Sequence, residues 1–207
     1  MNIKSLSLGP IGTNCYIVYD ENDALVIDPG AEADIIMGFL EQKQLKVQGI
    51  LLTHAHFDHI GGLDDLKRYT GAEVFLHEEE KEWLKNPALN GSQKLMGNEI
   101  IATTETTPLT PGIMDIADFH FNVIHTPGHS PGSVSFIFGE ELFAISGDVL
   151  FYEGIGRTDL PGGSMNELET TIRTKLYTLE DVYTVYPGHG PETTIGIERQ
   201  SNPFVKG

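Results

Sequence analysis

Between residues 53 and 59 the chain reads Thr-His-Ala-His-Phe-Asp-His. Four metal-competent side chains, His54, His56, Asp58 and His59, thus fall within six residues, directly after the apolar run Gly49-Ile50-Leu51-Leu52. A packed apolar core has no place for three imidazoles and a carboxylate at that density, because every buried polar group has to find a partner. A metal centre supplies those partners together, and it needs a fold in which a buried strand delivers its end to a loop. If the backbone is still extended as it leaves the run, alternation sends His54 and His56 to one side. Asp58 and His59 then come at the threshold of a helix and point elsewhere, which suits two adjacent ions better than one.

The rest of the chain supplies such a frame. Strands are expected at Ile3 to Leu8, Asn14 to Tyr19 and Ala24 to Asp28, the last closed by Pro29-Gly30. Asp34 reads as the N-cap of a helix carrying Ile35, Ile36, Phe39 and Leu40 at helical spacing. Gly49 to Thr53 is the next strand. After Gly61-Gly62 a helix through Leu63, Leu66 and Tyr69 follows, with Asp64 and Asp65 favourably placed in its first turn. A strand at Glu73 to Leu76 and a charged helical segment at Glu78 to Lys85 come next. The Pro-, Gly- and Thr-rich stretch from Asn86 to Thr110 is expected to be a long surface segment. In the second half, strands are expected at Phe119 to His125, Ser133 to Phe138, Leu142 to Ser146 and Val182 to Tyr186. One helix, Asn166 to about Leu179, has Leu168, Ile172, Leu176 and Leu179 on a single apolar face. Two sheets between outer helices are the natural packing for this order.

Composition narrows the partners. With 207 residues the chain is long enough to bury a sizeable core as one domain, 1–207. Its 30 acidic against 13 basic side chains give a formal charge of -17, which repels phosphate backbones and anionic lipid, so neither nucleic acid nor a membrane is an expected partner. The opening Met1-Asn2-Ile3-Lys4-Ser5-Leu6 has no long apolar stretch, and a cytoplasmic address is expected. Cys15 is the single cysteine, so any metal is held by nitrogen and oxygen; in its strand it reads as a buried small hydrophobe.

Three more candidate ligands each follow an apolar strand and sit beside glycine: His129 in Thr-Pro-Gly-His-Ser, Asp148 in Ser-Gly-Asp, and His189 in Tyr-Pro-Gly-His-Gly. Singly, such residues are ordinary loop side chains. With the cluster they make seven ligands, which allow His54, His56 and His129 on one ion, Asp58, His59 and His189 on the other, and Asp148 bridging. Asp28, at a strand end, is the carboxylate placed to accept the outer N–H of a ligand histidine. His77, His120 and His125 are read as hydrogen-bonded or packed side chains, and Phe151 and Tyr152 as pocket wall or core.

The whole chain, roughly residues 3 to 200, resembles the metallo-β-lactamase superfamily. Its His-x-His-x-Asp-His signature stands here at His54 to His59, with the later His129, Asp148 and His189. Within it, Gly156-Arg157-Thr158-Asp159-Leu160-Pro161-Gly162-Gly163 and the short stretch after His189 look like the small glyoxalase II-like bacterial hydrolases. The resemblance implies an α/β, αββα four-layer sandwich of the metallo-β-lactamase type. It also implies a binuclear site of two divalent ions, zinc first with iron or manganese as alternatives, and hydrolysis of a small acyl thioester such as an S-hydroxyacyl thiol. Two such ions would bring the pKa of a bridging water toward neutrality, with Asp58 both a ligand and the group orienting the hydroxide, so no Ser or Cys nucleophile is required. Arg157 stands where a bidentate contact to a substrate carboxylate is expected. A mononuclear-iron persulfide dioxygenase, whose relatives carry the same Gly-Arg-Thr-Asp segment, is the alternative, and a non-catalytic metal-binding module the third reading. Lactam hydrolysis is also compatible with the fold, since fold does not choose substrate.

Overall fold

Strands β1 (Asn2–Leu8), β2 (Thr13–Tyr19) and β3 (Asp23–Ile27) form an antiparallel meander, after which helix α1 (Ala33–Lys43) crosses over to β4 (Lys46–Leu51), parallel to β3. A crossover is what two parallel neighbours require. Helices α2 (Phe57–Ile60) and α3 (Leu63–Thr70) lead to β5 (Glu73–His77). A 3-10 helix at Glu78–Lys85, a single turn α4 (Ser92–Leu95) and β6 (Thr107–Leu109) complete a six-stranded sheet in the order β1-β2-β3-β4-β5-β6. The computed structural model describes residues 1–207. It divides them into two compact units, Met1–Leu109 with Ile116–Asp118 and Thr110–Asp115 with Phe119–Gly207.

In the first unit the apolar alternation of the strands and the i, i+4 spacing of Ile36 and Leu40 on α1 meet in one core with Ile17, Val26, Ile50 and Leu52, all at most 2% exposed. Each such side chain contributes about 1.5–3 kcal/mol on burial. That core fixes where the strands end. Ile27 pairs with Leu51, and Asp28 N–H donates to the Leu51 carbonyl at 3.0 Å, so residues 28 and 52–53 leave the sheet side by side. Because β2 runs antiparallel to β3, with Tyr16 opposite Ile27, the start of β2 at Thr13 lies at this same end.

The second unit holds β7 (Gly112–Ile116), β8 (Phe119–His125), β9 (Val134–Phe138), β10 (Phe143–Gly147), β11 (Leu150–Phe151), β12 (Gly154–Ile155), α5 (Met165–Thr171) continued by a π turn at Ile172–Leu176, β13 (Thr184–Pro187), β14 (Thr193–Thr194) and α6 (Ile195–Ser201). Its main sheet runs β14-β13-β10-β9-β8-β7, with β11 and β12 as a separate hairpin. Leu168, Ile172 and Leu176 pack on Ala144, Val185 and Ile195, which is the apolar face expected of that helix. The β10–β13 pair is parallel, and Gly188 N–H donates to the Gly147 carbonyl at 2.8 Å, so Asp148 and His189 emerge together. Strand β9 runs antiparallel to β10, and its first residue, Val134, faces His125 at the end of β8; the 126–133 loop therefore opens at that same edge.

Several expectations need correction. Asp34 lies in the first turn of α1, not at its cap; the cap position is Glu32 in a left-handed conformation (φ 46°), whose carboxylate is taken by the Gly9 N–H at 2.7 Å. The 86–110 stretch is not only surface. Asn90 and Ser92 are fully buried, the Asn90 side-chain amide bridges the Trp83 and Ile100 carbonyls, and its backbone carbonyl accepts Phe57 N–H. Asp64 anchors the segment by accepting from the backbone and hydroxyls of Thr103 and Thr104. Burial pulls its pKa up, but these hydrogen bonds outweigh that and hold it below the ordinary aspartate value. Strands β6, β7, β11, β12 and β14 and helices α4 and α6 had no expectation attached. No helix is long and apolar enough to cross a membrane.

Candidate metal centre

In the first unit the strand exit of β4 places Thr53 beside Asp28. Asp28 itself takes a left-handed backbone (φ 53°) just past the end of β3, a conformation Asp tolerates better than most residues. Its carboxylate is 1% exposed. Oδ1 accepts from Thr53 N–H at 2.7 Å and Oδ2 from Thr53 Oγ1 at 2.7 Å, and His59 Nδ1 lies 2.9 Å from Oδ2 as an ion-pair contact. Proton bookkeeping then sets the tautomers. The Thr53 hydroxyl proton is committed to Asp28, so at 3.0 Å Thr53 Oγ1 can only accept, and His54 Nδ1 carries the proton. His59 Nδ1, 2.9 Å from the Asp28 carboxylate, is the nitrogen on which that negative charge favours a proton. One carboxylate therefore orients two imidazoles, one directly and one through a hydroxyl, and both present Nε2 as a lone-pair donor.

The rest of the cluster is gathered nearby. The His54 ring lies 4.8 Å from His56 and 4.1 Å from His59, centroid to centroid. His56, 3% exposed, packs 5.6 Å from Trp83. Between the two histidines the Ala55 N–H donates at 2.5 Å to Glu80, a fully buried carboxylate on the 3-10 helix. Asp58 sits in the first turn of α2, where Thr13 Oγ1 donates to its Oδ2 at 2.8 Å. Gly30 is required here, since a Cβ at that position would overlap the Asp58 carbonyl.

In the second unit Asp148 is the common vertex. Its Oδ2 lies 3.6 Å from His129 Nε2 and 3.6 Å from His189 Nε2. His129 Nδ1 is 2.7 Å from the Arg157 carbonyl, which only accepts, so this imidazole too is the Nδ1–H tautomer with Nε2 toward the carboxylate. A Cβ on Gly156 would overlap the Asp148 carbonyl and press on His129 Nδ1 at 3.1 Å. Phe151 stands edge-on to His189 at 6.2 Å, and Tyr152 is exposed. The Arg157 guanidinium forms a bidentate pair with Asp159 at 2.7 and 2.8 Å, which raises its pKa further.

These donors fit divalent ions. His59 Nε2 lies 3.4 Å from Asp58 Oδ2 and His129 Nε2 lies 3.6 Å from Asp148 Oδ2; with the proton of each imidazole on Nδ1, these atoms face the carboxylates as lone pairs. Two lone-pair atoms at that range repel unless positive charge lies beside both. The separation matches the edge of a tetrahedron drawn with metal–ligand distances of ~2.1 Å, about 3.4 Å.

The structure thus brings His54, His56, Asp58, His59 and Asp28 together in one unit and His129, Asp148 and His189 in the other. The remaining histidines have other partners: His120 pairs with Asp115 at 2.6 Å on the surface, and His125 Nε2 lies 2.7 Å from the Pro131 carbonyl. Sequence reasoning missed Thr13, Thr53, Glu80 and the Arg157 carbonyl. A hydroxyl immediately before His54 was the one available signal. Glu80 is one of three consecutive glutamates, and a backbone acceptor leaves no trace in residue type.

Residues 8–189 match the Metallo-beta-lactamase superfamily. The probable metallo-hydrolase YqgX of Bacillus subtilis is 44% identical over 100% of this chain and 99% of its own, and the hydroxyacylglutathione hydrolase GloC of Haemophilus influenzae 38% identical over 99% and 98%. Among solved structures, the BLEG-1 B3 metallo-beta-lactamase superposes with a TM-score of 0.97 at 45% identity over the full length of both chains. TTHA1623 in a di-iron-bound form gives 0.88 at 36%, over 98% of this chain and 100% of that one. A family match across most of the chain and full-length relatives of this closeness establish that the protein belongs to the metallo-β-lactamase superfamily, has the fold expected from its sequence, and is a metallo-hydrolase of that family.

Proposed function

We propose that this protein hydrolyses small acyl thioesters, with His54, His56, Asp58, His59, His129, Asp148 and His189 together holding two divalent ions, zinc first and iron or manganese as alternatives. The observation that carries the metal part is the partnered Nδ1 of His54, His59 and His129, which leaves three Nε2 atoms as lone-pair donors, that of His59 beside Asp58 and that of His129 beside Asp148. The thioester part is supported by full-length likeness to a hydroxyacylglutathione hydrolase. When bound, the ions would supply Lewis acidity toward the carbonyl and a lowered pKa for the attacking water.

The chain's own residues do the rest. Thr13 fixes Asp58, and Asp58 orients the water toward the carbonyl carbon. A C–O bond forms, the C–S bond breaks, and the water's protons end on the carboxylic acid and the thiol. Cys15 takes no part; burial, with the Asp28 charge adding to it, pushes its thiol well up and keeps it protonated. For Arg157, a substrate carboxylate has Asp159 to displace from the guanidinium. We take residues 1–207 to act as one domain in the cytoplasm on a small molecule.

Full-length likeness to a protein named as a B3 metallo-beta-lactamase favours lactam hydrolysis as the second reading, and a persulfide dioxygenase with one iron is the third. Metal-loaded protein assayed against S-lactoylglutathione, a chromogenic cephalosporin and a glutathione persulfide separates the three. Thioester cleavage that falls 10²–10⁴-fold in Asp58→Asn is expected, the range typical of a positioned acid–base group. Cephalosporin turnover or oxygen uptake without thioester cleavage overturns the proposal.

A further inference from the structure

A cavity of about 210 Å³ opens beside Asp58. Its wall is made by Leu8 and Ile11 from the β1–β2 turn, Phe57 from α2, and Met96 and Ile100 from the segment that Asp64 anchors; Asp58 and Thr13 form its inner end. Ile11 is 48% exposed although the turn carrying it is tied down by the Gly9 N–H bond to Glu32. An apolar side chain held out of the core on a fixed turn makes sense as one wall of a binding site. No Lys or Arg borders it; apart from Asp58, which the proposed function commits to an ion, Glu32 is the one charged residue of the lining. The wall therefore offers no partner for the carboxylate of an anionic acyl group.

We infer that this cavity seats the acyl side of the substrate, as an uncharged aliphatic chain, with the thiol carrier outside it; the inference rests on the thioester reading above. Volume sets the length. At the ~30 Å³ that a water occupies in the liquid, the cavity has room for about seven non-hydrogen atoms, so with the carbonyl outside it the tails of acyl groups up to about eight carbons fit and longer ones overrun it. Hydrophobic transfer at about 0.8 kcal/mol per methylene corresponds to about fourfold in kcat/KM for each one seated.

Two measurements test this on the metal-loaded protein. In the first, N-acetylcysteamine thioesters from acetyl to dodecanoyl, and the succinyl thioester, are hydrolysed under identical conditions. The expected profile rises about fourfold per methylene, turns over between hexanoyl and octanoyl, and puts succinyl at least tenfold below butanoyl. Met96→Trp, which fills the cavity, lowers the hexanoyl-to-acetyl ratio at least tenfold. In the second, methyl-¹³C labelling of the five methionines, with Met96→Leu to assign the signal, reads occupancy without turnover: hexanamide moves the Met96 methyl resonance and acetamide does not. Turnover with a flat profile and an unmoved Met96 methyl overturns the inference and leaves thioester hydrolysis standing. Absence of turnover with every thioester overturns the reading it rests on, and the acyl assignment with it.

Discussion

The two compact units solve the same problem by different means. In the first, the four donors lie within one short stretch, and side chains hold them: Asp28 grips His59 and, through Thr53, His54, while Glu80 holds the amide between His54 and His56 and Thr13 holds Asp58. In the second, three donors come from three separate strand exits, and main chain holds them. The Arg157 carbonyl takes His129 Nδ1, and the Gly188 N–H bond to the Gly147 carbonyl sets the spacing of Asp148 and His189. A dense cluster can share one buried carboxylate among several ligands. Scattered ligands depend on strand register and on glycines that let backbones approach. Both arrangements are vulnerable to an added methyl group, at Gly30 in the first unit and Gly156 in the second, but only the first hangs several imidazoles on one orienting carboxylate.

The largest effects are expected where backbones approach too closely for a Cβ. Gly156→Ala should destabilise the fold by about 3 kcal/mol or more, since the new Cβ overlaps the Asp148 carbonyl and neither neighbour is a flexible side-chain tip. Urea unfolding measures it, and a cost under about 1 kcal/mol contradicts the close approach of Gly156 to Asp148 and His129. Gly30→Ala sharpens the point from the other side, because its Cβ meets the Asp58 carbonyl and brings the first unit the same backbone penalty. An intermediate effect belongs to Asp28→Asn. That change keeps the shape and the left-handed backbone but removes the charge facing His59 and Thr53, and metal affinity by chelator competition should drop about 10–100-fold. Unchanged affinity would show that the side-chain scaffold of the first unit is dispensable.

The smallest effect concerns the anchor of the 99–106 segment. Asp64→Asn should cost about 1 kcal/mol at neutral pH, modest because the side chain is partly exposed. The Asp64 pKa is lowered in the folded protein. Its contribution is therefore fully present above the unfolded value of about 3.9 and disappears as pH falls through the lower folded value, where the unfolding curves of the wild type and the Asp64→Asn variant should converge. A gap that does not narrow as pH falls below the unfolded value contradicts this assignment.

Much of the frame was legible because it rests on periodicity. The strand exits before Asp28, Asp148 and His189 follow from apolar runs that stop at Pro or Gly, that before His54 from an apolar run ending at Thr53, and the face of Leu168, Ile172 and Leu176 from helical spacing. What stayed hidden depends on partners distant in sequence. Asp34 looked like a cap because Asp is a good cap, but the Glu32 bond to Gly9 decided how the chain enters α1. The polar stretch after Asn86 looked like surface because nothing in it is periodic; Asn90 is buried there as a cross-brace between two backbone carbonyls. Glu80 could not be told from Glu78 and Glu79 without knowing which one the 3-10 helix turns toward Ala55. The guanidinium of Arg157 drew attention through its charge, while the group that touches His129 is its carbonyl.

Under the proposed function, the side-chain-held donors and the main-chain-held donors serve a single pair of ions. Elemental analysis of metal bound per chain, in the wild type and in His129→Ala/His189→Ala, tests this most directly. Two ions per chain in the wild type, falling to one or fewer in the double variant, is the predicted result. A single ion in the wild type, or two that survive the loss of both histidines, contradicts it.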